Sequence, residues 1–420
     1  MPPVLRLAVL GCAVSIVLLV APVAVAATSD RGPAIRGPIA VGYSTKAAFD
    51  SAVALAGCRV LRALHRIRVA ELSCSKGVAE LLARSPAISF LERPASRTPA
   101  AEPGLAQANL LGAFEWQYAA THADTVPESV LRAASAITVA VIDTGADVGA
   151  PDLAAKSPLA FDIRTRQADV ADVVGHGTFV ASLAAGSSTN GEGIAGFGGE
   201  ANLLVVKAST GRRALTDIDE AEAIIYAVDH GARVVNLSFG GPSTSTTERL
   251  AIDYAAARGA LLVAAIGNDF RHGNPVHYPA ALLQPVRSRG RGGRGLAVGA
   301  STPDGTRAAF SITGTHLSLV APGKAVLGAV SALSSPRDYP RVELPGSREG
   351  VYAFGSGTSY AAPQVAGAAA LVWAANPALT ARDVADYLKG TASGGGRWNP
   401  RLGYGVLDVG AAVALALASR

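Results

Sequence analysis

The chain is poor in charge, poor in cysteine and empty of the motifs of metal hydrolases. Only 16% of its 420 residues are charged, against 50% hydrophobic. That balance excludes a disordered chain and predicts a well-buried core. At this length the core fills one large domain and leaves room for a smaller one. The three cysteines are Cys12, Cys58 and Cys74, so everything after residue 74 is without a thiol. No His-Glu-x-x-His occurs, which removes the commonest zinc-hydrolase pattern. No Gly-x-Ser-x-Gly elbow occurs either, which argues against an esterase or lipase of the α/β-hydrolase type. The net charge of +5 invites a nucleic-acid reading, but the charge is unevenly placed. Residues 28–102 hold 11 Lys and Arg against 6 Asp and Glu, whereas residues 103–420 hold 25 against 26. A basic leading segment on a neutral body is not a nucleic-acid footprint.

Residues 1–27 have the layout of a secretory signal. Arg6 supplies the positive region, Leu7 to Val25 is almost wholly apolar, and Ala24-Val25-Ala26 is a small-x-small cleavage site. The same run is long enough to serve, uncleaved, as a membrane anchor. Residues 38–93 read as a small βαββαβ module. Cys58 and Cys74 stand at the two ends of its central hairpin, either bridged or as two free thiols. Residues 94–110 are rich in Pro and Ala and read as an exposed linker open to nicking.

From residue 111 the pattern changes to short apolar β-branched runs alternating with helical stretches. Strands so apolar are buried on both faces. The expected fold is therefore α/β, a mostly parallel sheet between helices, with ligands at the carboxyl ends of the strands. The chemistry-bearing residues fall at those ends. Asp143 closes a strand in Ala140-Val141-Ile142-Asp143-Thr144-Gly145, and Asn268 closes another in Ala264-Ala265-Ile266-Gly267-Asn268. His176 opens a helix in Gly175-His176-Gly177-Thr178. Ser359 opens a long apolar helix, Thr358 to Ala375, after a glycine-rich turn. The unpaired N–H groups and macrodipole at such a helix start would stabilise an oxyanion formed beside Ser359. Each residue alone is explained by capping or turn formation. Together they supply a nucleophile, a general base, a residue to orient the base, and an amide donor for the oxyanion. The chain order Asp, His, Ser separates this set from the chymotrypsin-like and α/β-hydrolase orders.

These residues lie in four segments that resemble the signatures of the subtilisin family of serine endopeptidases. The segments are Val141 to Gly145, Gly175 to Ala181, Ala264 to Asn268 and Gly357 to Gly367. The resemblance implies the subtilisin-like three-layer fold over residues 111–420. It also implies that residues 28–110 are an inhibitory propeptide, with core 38–93 and linker 94–110. The partners it implies are a protein or peptide substrate and the chain's own propeptide, with no nucleic acid. A membrane is implied only if the N-terminal segment stays uncleaved. By the same resemblance Ser238-Phe239-Gly240-Gly241 would pair with extended substrate as an added strand. Ala265 and Gly267 would line the pocket for the residue before the scissile bond. His277 stands where the family commonly has glycine at that pocket's floor, so a pocket that is shallower or more polar is expected, disfavouring large aromatic residues. Phe179 and Gln364 replace histidines frequent in the family. Asp152 and Asn190 match positions that hold calcium in some relatives; a capped turn without metal explains them equally. No cofactor is required. Two segments exceed the usual family length: the basic loop Arg287 to Arg294, and Ser334 to Gly350. The competing reading is a catalytically silent relative retained as a peptide-binding or surface protein.

Overall fold

The computed structural model describes residues 37–75, 77–99, 114–190, 193–210, 215–343 and 350–420. The expected signal, residues 1–27, lies outside them. Among the described residues no helix is long and apolar enough to cross a membrane.

The leading module is built as β1 (Ile39–Tyr43), α1 (Lys46–Ala56), β2 (Arg59–Leu64), β3 (Val69–Ser73), α2 (Val78–Ala83) and β4 (Ile88–Glu92). Its sheet has the order β2-β3-β1-β4, antiparallel throughout. Thr45 caps α1 by accepting from the Ala48 N–H, and Gly57 ends the helix at φ 65°, a left-handed position that glycine takes without strain. His65–Ile67 form a 3₁₀ turn between the hairpin strands, and β3 starts at Val69. Arg59 pairs with Ser73 across the hairpin, which sets Cys58 beside Cys74, and the two are joined as a disulfide.

A short strand β5 (Ser96–Pro99) follows. Then come β6 (Thr138–Asp143), β7 (Leu159–Asp162), α3 (His176–Ala185), β8 (Asn202–Lys207), β9 (Leu215–Thr216), α4 (Asp217–Asp229), β10 (Ala232–Leu237), β11 (Phe239–Gly240), α5 (Thr246–Ala257), β12 (Leu261–Ala265), β13 (Gly295–Ser301), β14 (Leu319–Pro322), α6 (Thr358–Ala375), α7 (Ala381–Thr391) and α8 (Val409–Ala418). Seven of these strands form one parallel sheet in the order β14-β13-β12-β10-β6-β8-β7.

The two-residue period of the strands divides the core into two layers. Val139, Val141, Val263 and Ala265 face one layer, with α3, α6 and α8. Ala140, Ile142, Leu262 and Ala264 face the other, with α4 and α5. Helix α6 is buried on every side, which is why it carries no polar stripe. The leading module joins the second layer: Ala40, Leu64, Ile67 and Val69 pack into the same cluster as α4 and α5.

The reading of 94–110 as an exposed linker holds for the side chains of Ser96, Thr98 and Pro99, which are exposed, but not for Arg97 or for the paired backbone of Ser96–Pro99. These residues form the middle strand of a three-stranded sheet, β11-β5-β9, and Arg97 is 1% exposed. The backbone donors and acceptors of two facing strands satisfied a Pro-flanked stretch that composition alone marks as loop. Residues 100–110 lie outside the described part of the chain.

Candidate active site

Adjacent parallel strands bring their carboxyl ends together. β6 ends at Asp143, β10 leads into Ser238, and β12 leads into Gly267 and Asn268. Since β12, β10 and β6 are neighbours in the sheet, these three ends share one edge. Helices α3 and α6 start above that edge with His176 and Ser359.

Asp143 and His176 are in contact. Oδ1 of Asp143 lies 2.7 Å from Nδ1 of His176, and both side chains are about 2% exposed. The Thr144 N–H also donates to Asp143 Oδ1, at 2.7 Å. An acceptor at Nδ1 fixes that nitrogen as the N–H and leaves Nε2 with the lone pair. Nε2 is buried and, among the described residues, has no hydrogen-bond partner.

The sequence reading missed Asp172, which anchors the start of α3. Its Oδ1 accepts from the N–H groups of Val174 and Gly175 and from the Thr144 hydroxyl, at 3.1, 2.9 and 2.9 Å. Its Oδ2 accepts from the N–H and hydroxyl of Thr178, at 2.8 and 2.7 Å. One fully buried carboxylate therefore satisfies three orphan donors around the helix start and ties them to the residue after Asp143. An acid four residues before a helix is the signal that could have found it. Gly177 completes the approach: a Cβ there would meet the Gly145 carbonyl oxygen at 2.1 Å, so the α3 start packs directly on the turn after β6.

Ser359 is fully buried, and its hydroxyl donates to the Ser238 carbonyl at 2.8 Å rather than to His176. The Ser238 hydroxyl in turn donates to the Ser359 carbonyl, at 2.8 Å. Tyr360, next in the chain, places its ring 5.7 Å from the imidazole of His176. Asn268 Oδ1 accepts from the N–H and hydroxyl of Thr358, both at 3.0 Å, which turns the amide NH2 away from Thr358.

An aromatic wall backs the imidazole. The Tyr360 ring lies 4.2 Å from that of Phe179, and its hydroxyl lies 3.1 Å from that of Tyr339. Burial pushes both phenols well above their ordinary range, so they stay neutral. Tyr339 comes from the long segment after Ser334, so this extra material packs behind the site. The other long segment behaves as a surface loop. Its arginines are exposed, and it is held at the buried Gly290, whose carbonyl accepts from Lys389 at 3.0 Å.

The sites expected to bind substrate lie beside this centre. Strand β11 carries Phe239 and Gly240, and Gly241 exchanges hydrogen bonds with Tyr278 at 3.0 and 2.9 Å. His277 stands between this segment and β12. A Cβ on Gly267 would meet His277 Nδ1 at 2.6 Å and Ile312 at 2.7 Å, so space next to Gly267 and Ala265 is already narrow. Burial lowers the His277 pKa, partly opposed by Asp269, whose Oδ2 is 3.3 Å from Nε2.

The calcium reading does not fit the donors present. Asp152 is fully buried; its Oδ1 accepts from the Ile194 N–H at 2.9 Å and its Oδ2 from the Tyr352 hydroxyl at 2.9 Å. Both oxygens thus meet protein donors. Asn190 is exposed. Among the described residues no cluster of three His, Cys, Asp or Glu side chains could hold a metal ion.

The profile of the subtilase family matches residues 134–405. The chain is 37% identical over 243 residues to the thermophilic serine proteinase of a Bacillus species (strain AK1), covering 58% of this chain and 53% of that protein. It therefore spans about half that relative's length. It is 33% identical over 342 residues to the alkaline protease of Alkalihalobacillus alcalophilus, covering 81% of this chain and 78% of that one. Among solved structures it is similar to fervidolysin from Fervidobacterium pennivorans, a keratinolytic enzyme related to subtilisin. The TM-score is 0.76 at 26% identity, over 92% of this chain and 62% of that chain.

Proposed function

This chain belongs to the subtilase family of serine proteases, and on that premise we propose that it is a secreted serine endopeptidase made as a self-processed precursor. The observation that carries the reading is the pairing of Asp143 with His176 Nδ1 at 2.7 Å, with the buried Nε2 left open. Ser359 is the nucleophile. For the reaction its hydroxyl turns to Nε2 once a substrate N–H takes over the Ser238 carbonyl, to which it donates in the free chain.

The Ser359 proton then passes to Nε2 as the Oγ–C bond forms, and Asp143 stabilises the resulting imidazolium. The oxyanion is held by the Asn268 amide and the N-terminus of α6. Collapse breaks the C–N bond, and His176 returns the proton to the leaving amine. Water repeats the sequence on the acyl-enzyme, with His176 again as base.

Residues 1–27 are the export signal, residues 28–110 the leader and residues 111–420 the catalytic domain. The leader acts as an inhibitor because β5 lies where extended substrate would pair with β11. No step draws on a metal.

The test is intact mass after export of the wild type and of Ser359→Ala. The wild type is expected to lose the leader and cleave casein, and the variant to keep the leader. If both keep it and neither cleaves casein, the silent peptide-binding reading replaces this one.

A further inference from the structure

The strand that fills the groove carries one arginine, and that arginine is buried in acid. β5 is antiparallel to both of its neighbours. Thr98 lies opposite Gly240 and Pro99 opposite Phe239, while Arg97 lies opposite Leu215 and Ser96 opposite Thr216. Asp217 extends the ladder: its N–H donates to the Ala95 carbonyl, and its side-chain Oδ1 accepts from the Ala95 N–H, each at 2.9 Å. From this ladder the Arg97 side chain enters a cavity closed on all sides, with 0% of it exposed. Its Nε donates to Glu220 Oε2 at 3.1 Å. Its Nη2 lies 2.8 Å from Glu248 Oε2, a close ion pair rather than an aligned hydrogen bond. Its Nη1 donates to the Ser96 carbonyl at 3.2 Å. Asp217 lies beside them and adds to the field on Arg97.

The acids are the catalytic body's own: Asp217 and Glu220 from α4, Glu248 from α5. Only the arginine belongs to the leader. The Oε1 atoms of Glu220 and Glu248 and Oδ2 of Asp217 are buried and, among the described residues, lack hydrogen-bond partners. Burial pushes all three carboxyls above their usual range even beside Arg97, so a cation between them is what lets them stay charged, an uncompensated buried charge being strongly unfavourable. When the leader departs, its arginine departs with it.

The register counts the distance to the reacting bond. Ser359 Oγ is 2.8 Å from the Ser238 carbonyl, and a carbonyl under attack must come within about 3 Å of that oxygen. The residue that supplies it therefore faces Ser238. The residues facing Phe239 and Gly240 are then second and third before the scissile bond. The residue in Arg97's place is the fourth.

We propose that Asp217, Glu220 and Glu248 form a specificity pocket for an arginine four residues before the cleaved bond, so that the enzyme selects basic, extended peptide segments. The inference rests on the endopeptidase reading and refines it. In the chain itself it places the first cut between Ala100 and Ala101, inside the 94–110 stretch. A small residue at the bond agrees with the narrow space beside Gly267 and His277.

The test uses the full chain, exported and self-processed, on internally quenched peptides containing Ser-Arg-Thr-Pro-Ala-Ala-Glu, the sequence of residues 96–102. Parallel peptides replace the arginine by Lys, Leu or Glu. The arginine peptide is expected to be cut between the two alanines, with kcat/KM about 100-fold or more above the Leu peptide. Lys is expected to fall between them, and Glu to resist. In Glu248→Gln and Glu220→Gln the Arg-to-Leu ratio is expected to collapse, whatever the absolute rate. Equal cutting of the Arg and Leu peptides by an enzyme that still digests casein would overturn the pocket and leave the protease reading standing. No cutting of any peptide or of casein would overturn both.

Discussion

The leader grips the catalytic body through one carboxylate whose removal can be weighed in advance. Glu92 is the last residue of β4. Its Oε2 accepts from the Thr246 N–H at 2.9 Å, and its Oε1 accepts from the Thr247 N–H and hydroxyl at 2.9 and 2.8 Å. Thr246 and Thr247 are the first residues of α5, where N–H groups have no partner inside the helix. Ser245 already serves the next donor, Glu248, at 3.1 Å. Glu92 thus completes the cap from another part of the chain and sits at the positive end of the helix. Charged hydrogen bonds contribute about 1.5–3 kcal/mol net, and the helix end adds about 0.5 kcal/mol for a carboxylate. Water partly replaces Glu92 once the leader is gone, so about 3 kcal/mol is the expected loss in Glu92→Ala, or roughly 100-fold in affinity. The assay is inhibition of the processed enzyme by leader residues 28–100 added separately, wild type against Glu92→Ala. Glu92→Gln, which keeps one acceptor, is expected near tenfold. An inhibition constant that moves less than threefold in Glu92→Ala would refute the reasoning, because the three bonds would then be no better than those to water.

Two further predictions follow from other parts of the molecule. His316 is 1% exposed, and neither ring nitrogen has a partner among the described residues; burial, aided by His277, pulls its pKa down to about 4 from 6.5. A lowered folded-state value favours the neutral ring. Its contribution is therefore intact above pH 6.5 and is lost as pH falls toward 4, by up to about 3 kcal/mol. Urea unfolding of the Ser359→Ala precursor at pH 7.5 and pH 4 is expected to show this loss, and His316→Leu to reduce it by about that amount; an unchanged difference would exclude His316 as the source. The chain's sulfur is confined to Met1, Cys12, Cys58 and Cys74, so a processed enzyme lacking the leader has none to oxidise. Hydrogen peroxide is expected to leave its kcat/KM unchanged, and a loss of more than twofold would point to an oxidisable group at the site.

Much of the fold was legible because local signals and global topology agree here. The strand Asn202–Lys207 and the helix Thr358–Ala375 are bounded by turns and filled with apolar residues, and they fold as their patterns predict. Asp143, His176, Asn268 and Ser359 were legible for a related reason: each lies where a strand ends or a helix begins, a place that composition marks. The acid pocket was not. Arg97 meets Glu220 across 123 residues and Glu248 across 151, and nothing near any of them in the chain announces the others. In α4 the acids read as an ordinary negatively charged first turn, supported by the Thr216 capping box. Glu220 and Glu248 are buried around Arg97 of β5, a strand whose own residues look like linker. Tyr339 was hidden in the same way, inside a segment that the sequence marked only as longer than is usual in the family.

The charge asymmetry of the chain finds its explanation on one helix. The first two turns of α4 carry Asp217, Asp219, Glu220 and Glu222, placed at the end where the macrodipole favours negative charge. The basic leader meets them twice. Arg62 reaches Asp219 at 2.8 Å and Glu222 at 2.7 Å from the hairpin, and Arg97 reaches Glu220 from the groove. The two contacts differ in kind. The Arg62 side chain is 22% exposed, and Arg164 and Arg166 of the catalytic body compete for the same acids. Salt screens such a contact, and the acids stay paired when Arg62 leaves. Arg97 has 0% exposure, and its acids have no second cation among the described residues to take its place. Salt is therefore expected to weaken the outer contact far more than the inner one. The outer contact positions the leader, while the inner one makes a vacated groove demand another arginine.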